Sequence, residues 1–137
     1  VVQRAHYDTA RAGHQRFANQ RALWDLPASR YRLLDGDTTL LPGLELIETS
    51  GHVPGHQSVL VRLPETGPVL LTIDAVTTQG GFTPDRQATP MDLDGPGAIA
   101  STRKLLDVAQ REHVALTIFG HDAKQWAELK KVPEYYE

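Results

Sequence analysis

Four side chains carry the types and spacing that chemistry needs: His52, His56, Asp74 and His121. His52 and His56 flank a Pro54-Gly55 pair in "TSGHVPGHQSVLV", Asp74 closes "VLLTID", and His121 closes "LTIFGH". Three apolar, strand-like runs therefore end in a ligand-type residue, and strand ends gather on one edge of a sheet, where α/β folds build their sites. Two imidazoles and a carboxylate suit zinc, iron, manganese or cobalt without selecting among them. A carboxylate can also bridge two ions, which an imidazole does not readily do. Each residue has a plainer reading as well. A histidine after glycine can be a loop residue bonded to its neighbours, and an aspartate closing a strand can be a cap. His6, His14 and His113 fall in helical or helix-end context with no partner at ligand spacing.

The elements that must position these residues can be read from pattern. "HYDTARAGHQRFANQRALW" reads as a helix weakened by Gly13, and Asp35-Gly36 between two apolar runs reads as a hairpin turn. Pro42-Gly43 makes the next turn. Strands are expected over 44–49, 57–63, 68–73 and 114–119, separated by turns at His52–His56 and at "PETG". A loop rich in Gly, Pro, Asp and Thr runs from Thr77 to Pro96, long enough to have a functional role. Asp94 is expected to cap a helix reaching about Glu112, with Ile99, Thr102, Leu105, Leu106 and Ala109 on its apolar face. Asp122 is expected to cap a last helix. The fold class is α/β with a mixed sheet.

Composition narrows the field. At 137 residues, with 40% hydrophobic and 23% charged residues, the chain fits one core. A net charge of −3 offers no footprint for nucleic acid, and no apolar run approaches the ~20 residues of a membrane span. The lack of cysteine excludes thiolate sites and disulfides and fits a cytoplasmic setting. The opening "VVQRAHYD" reads as the tail of a strand, which points to a fragment or a trimmed domain.

The ordered set "TSGHVPGHQSVLV", "VLLTIDA" and "IFGHD" resembles the metallo-β-lactamase superfamily, and within it the N-acyl-homoserine lactonase group. The likeness extends over "VVQRAHYD", "DGDTTLLPGLELIETSGHVPGHQSVLV", "AIASTRKLLDVAQ" and "FGHDAKQWAELKKVPEYYE". It implies that residues 1–137 are a single partial domain, the C-terminal half of an αββα sandwich. It implies His52 and His121 as ligands of two divalent ions, zinc foremost, with Asp74 as the bridging and catalytic carboxylate. His56 and Asp122 become structural residues beside that site. The loop residues Thr77, Phe82 and Met91 become candidates for the substrate pocket, although Phe82 and Met91 read equally well as loop anchors.

The superfamily's H-x-H-x-D-H motif is absent from this chain, and Thr77 stands where lactonases of this group often carry tyrosine. The expected activity of the intact protein is hydrolysis of a lactone by a metal-bridged hydroxide. The fragment alone is expected to be inactive, with partial metal occupancy or none. Other superfamily hydrolases (thioesterases of glyoxalase II type, β-lactamases, phosphotriesterases) and a non-catalytic domain are the alternatives. Expected partners are a small lactone or ester and further copies of the chain through exposed sheet, with neither nucleic acid nor membrane.

Overall fold

Short, largely apolar runs build a five-stranded sheet in the computed structural model, which describes residues 1–137. The chain opens with β1 (Val2–Gln3) and three short helices, α1 (Arg4–Arg11), α2 (Gln15–Ala18) and α3 (Arg21–Trp24), followed by β2 (Leu33–Leu34). The sheet proper consists of β3 (Thr38–Leu41), β4 (Leu44–Glu48), β5 (Gln57–Leu63) and β6 (Gly67–Ile73) as an antiparallel meander. After a long loop, α4 (Gly95–Arg111) leads to β7 (Leu116–Phe119), which pairs parallel with β6, and α5 (Ala123–Glu128) follows. This is the mixed α/β architecture expected from the sequence.

Three expectations change. The helix over 6–24 is three pieces, because Gly13 takes a left-handed conformation (φ 83°) that ends the first and His14 then caps the second. Asp35-Gly36 is not a hairpin turn. β2 pairs parallel with β1 while β3 joins the main sheet, so Gly36 is a corner between two sheets. The Gln3 side chain holds that corner, bonding both the N–H and the C=O of Gly36 at 2.9 Å. The third change is partial: of the expected face, Thr102 and Leu105 are buried and Ala109 packs against the core, while Ala98, Ser101 and Val108 complete the buried stripe in place of Ile99 and Leu106. Asp94 caps this helix as expected, accepting from Gly97 N–H at 3.1 Å.

Helix α4 covers one face of the sheet. Its Leu105 and Val108 pack with Ile47, Leu60, Leu70 and Phe119 to form the main core. The opposite face carries two cross-strand apolar rows. Leu46, Val59, Leu71 and Ile118 stand in register, as do Leu44, Val61, Val69 and Leu116. None of these eight belongs to a core cluster, and six of them remain half-buried.

Candidate functional site

Strand β4 ends at Glu48, and the chain turns through Thr49–Gly51 to present His52. Gly51 (φ 138°) makes that turn possible, and a Cβ there would stand 2.1 Å from the backbone nitrogen of Ala98. The turn is therefore pressed onto the start of α4. It is tied to the incoming loop by Asp94 N–H to Gly51 O (2.9 Å) and Leu93 N–H to His52 O (3.2 Å).

Asp74 emerges at the end of β6, where the register with β7 shifts between Leu71 and Ile73. Ile73 adopts φ 53°, a left-handed conformation that β-branched residues avoid, and this re-aims the chain at Asp74. Its carbonyl lies so close to Gly120 that a Cβ there would come within 2.4 Å. His121 follows Gly120, with its N–H bonded to Thr77 O at 2.9 Å.

These three turns converge. Asp74 Oδ1 lies 2.8 Å from His121 Nε2, and Asp74 Oδ2 lies 4.0 Å from His52 Nε2. The two oxygens of one carboxylate thus face two different imidazoles. Exposure rises across the site, from 14% for the His52 side chain to 35% for Asp74 and 68% for His121.

His56 stands behind this trio. The Asp74 N–H donates to His56 Nε2 (3.2 Å), so that nitrogen is an acceptor and the proton of the neutral ring sits on Nδ1. Nδ1–H then donates to Thr49 Oγ1 (2.8 Å), the threonine hydroxyl to Ser58 Oγ (3.1 Å), and Ser58 to Thr72 O (3.0 Å). Burial lowers the His56 pKa to about 4, which keeps the ring neutral and the chain of donors intact.

A carboxylate that sequence reasoning did not single out lies on the other side of His52. Asp92 Oδ1 is 3.8 Å from His52 Nδ1, and its side chain is 1% exposed. Burial alone would raise its pKa, but the Thr89 N–H, the Thr89 hydroxyl and Arg86 together hold it below the usual carboxylate value. Nothing in the periodicity of the 77–96 loop marks Asp92; a buried Arg86–Asp92 pair becomes visible only once the loop is folded. Two other nearby carboxylates are engaged elsewhere. Asp122 caps α5 and accepts from Gln79 N–H (2.8 Å), and Glu48 accepts from Ser50 N–H (3.1 Å).

Two clefts meet at the site. The larger, about 860 Å³, is lined by Phe17, Leu23, Trp24, Ile73 and Met91 together with Arg16, His52, Asp74 and His121. The smaller, about 420 Å³, is polar and runs along the 77–92 loop. His52, Asp74, Thr77 and Met91 line both. Phe82 lines neither; its ring packs edge-on to Phe119 (5.6 Å) against the main core, as a loop anchor. Arg16 reaches in from α2, with Nη2 3.2 Å from His52 Nε2.

The donor types suit divalent ions, and a carboxylate with one oxygen toward each of two imidazoles is what a shared ligand requires. The number falls short. No three His, Asp or Glu side chains close around a common point, so the donors gathered at any one point are fewer than the roughly three that a hydrolytic ion uses.

No family model matches the sequence. The chain is 37% identical over 135 residues to an N-acyl homoserine lactonase of Bacillus sp, covering 98% of this chain and 51% of that protein. It is 38% identical over 146 residues to the N-acyl homoserine lactonase AttM of Rhizobium radiobacter, covering 99% and 54%. Its fold matches that of an N-acyl homoserine lactone hydrolase solved with N-hexanoyl-L-homoserine at its catalytic metal center. That match has a TM-score of 0.86 and 33% identity and covers 98% of this chain and 51% of that one. The chain thus spans about half the length of the relatives it matches. It is a homologue of the N-acyl homoserine lactonases of the metallo-β-lactamase superfamily and shares their fold over the half that it spans.

Proposed function

We propose that the intact protein hydrolyses a lactone carrying an acyl chain, and that these 137 residues contribute one part of its active site. The observation that carries this reading is Asp74, with one carboxylate oxygen toward His52 and the other toward His121. His52, Asp74 and His121 would hold two divalent ions, with the missing donors supplied from outside these residues. Such ions polarise a carbonyl and lower the pKa of a water toward neutrality.

The rest is the work of the chain itself. The turn glycines and the His56 network fix Asp74 at the strand edge. The apolar wall of Phe17, Leu23, Trp24 and Met91 takes an acyl chain. Arg16, the one Lys or Arg lining the larger cleft, presents donors to a carbonyl or a released carboxylate. The reaction balances as lactone plus water to hydroxy acid: the ring C–O bond breaks, a C–O bond to water forms, and the alkoxide takes a proton.

Thr77 lines both clefts but cannot stand in for a phenol as a carbonyl-polarising group, which favours keeping a thioester as the second substrate class. A panel of N-hexanoyl homoserine lactone, an acyl thioester and a β-lactam, offered to the intact zinc-loaded protein, separates the readings. Lactone opening is expected to have a kcat/KM at least tenfold above the others. A preference for the thioester would overturn the lactone assignment while leaving the hydrolase reading in place.

A further inference from the structure

The two nitrogens of His52 have different neighbours. Nε2 faces the site and receives the Arg16 guanidinium at 3.2 Å. A guanidinium only donates, so Nε2 accepts and the proton of the neutral ring lies on Nδ1. Nδ1 lies 3.8 Å from Asp92 Oδ1, close to the carboxylate charge but beyond hydrogen-bond distance. Of the two Asp92 oxygens, Oδ2 is crowded: it accepts from Arg86 (3.1 Å), Thr89 N–H (2.8 Å) and the Thr89 hydroxyl (3.0 Å). Oδ1 accepts from Arg86 alone (3.1 Å), and it is the oxygen nearer the imidazole.

Arg86 is 8% exposed and anchored on its other side. Its Nη1 donates to Thr102 Oγ1 (2.8 Å), to Ala98 O (3.2 Å) and to Ala75 O. The guanidinium thus joins α4, the segment after Asp74 and the loop. The backbone bonds of Leu93 and Asp94 to His52 and Gly51 hold that loop in step with the histidine. Burying an ion pair is a poor route to stability, since an apolar pair of similar volume serves as well or better. A pair kept buried with its less-occupied acceptor oxygen beside an imidazole nitrogen calls for another explanation.

We propose that the Arg86–Asp92 pair is a positioning device for His52. The buried Asp92 carboxylate, 3.8 Å from Nδ1, favours the Nδ1–H tautomer through its charge, which leaves the Nε2 lone pair on the side occupied by Asp74. The inference rests on reading His52 as a metal donor. Asp92, at the edge of the smaller cleft but only 1% exposed, acts through the histidine, as carboxylates behind metal-bound imidazoles do.

The test is the tautomer of His52 in the metal-free intact protein, read from long-range ¹H–¹⁵N correlation spectra, together with zinc affinity by chelator competition. The unsubstituted protein is expected to show Nδ1–H. Asp92→Asn removes the charge and is expected to weaken the preference for that tautomer. The double variant Arg86→Met with Asp92→Leu, which leaves no uncompensated charge, is expected to mix tautomers and bind zinc roughly 10- to 100-fold more weakly. An Nε2–H ring in the unsubstituted protein, or an unchanged tautomer and affinity in a folded double variant, overturns the proposal. Because Arg16 favours the same tautomer from the Nε2 side, an Arg16→Leu variant decides even if neither of the others folds: a retained Nδ1–H supports Asp92, and an Nε2–H ring overturns the proposal. Failure of the unsubstituted protein to bind zinc would instead sink the hydrolase reading, a result separable from the tautomer.

Discussion

At the scale of the residue, His56 couples stability to pH. It is buried and neutral, with its pKa lowered from 6.5 to about 4. Between those values the unfolded chain binds a proton that the folded one refuses. Stability is therefore full above pH 6.5 and falls as the pH drops toward 4, by roughly 3 kcal/mol at the outer bound. Urea melts at pH 7.5 and 5 are expected to show this loss, with a His56→Gln variant less stable at pH 7.5 and flatter between the two. Equal slopes for both proteins would remove His56 from that role. The site residues visible in sequence were those at strand ends, because apolar runs that stop at His or Asp can be seen locally. Asp92 and Arg86 were not visible, because their pairing depends on how a 20-residue loop folds over α4, and no periodicity encodes that.

At the scale of the element, close approach decides what the turns tolerate. Gly51 has both a left-handed backbone and a neighbour where a Cβ would sit, in the backbone of α4. Gly51→Ala must push the helix start away from the His52 turn. The expected cost is about 3 kcal/mol or more, measured as a shift in urea midpoint. An unchanged midpoint would mean the turn and the helix are not locked together. In the meander, β4 was legible from alternation and β5 and β6 as apolar runs bounded by turn residues, and α4 was legible from its cap and spacing. The segment before β3 was misread for a physical reason: Asp-Gly between apolar runs is a hairpin pattern, but β2 finds its partner in β1 and the chain turns a corner instead. Local turn chemistry does not reveal a partner some thirty residues away.

At the scale of the whole molecule, the sheet has two apolar faces and one covering helix. The rows Leu46–Val59–Leu71–Ile118 and Leu44–Val61–Val69–Leu116 present a surface of the kind that monomers seldom leave open. The isolated 137 residues are expected to self-associate with rising concentration in sedimentation experiments. Val59→Lys with Leu71→Lys is expected to shift the mass toward monomer without loss of the circular dichroism spectrum. A strictly monomeric chain at high concentration would count against that face as a docking surface. The half-covered sheet agrees with a chain that spans about half of its relatives.

The most direct measurement is metal content and lactone opening in the intact protein beside its Asp74→Asn variant. The prediction is stoichiometric divalent metal with chelator-sensitive turnover of N-hexanoyl homoserine lactone, and loss of both when Asp74 can no longer serve two ions. Turnover that survives metal removal, or an Asp74→Asn protein that keeps its metal and its rate, would contradict it.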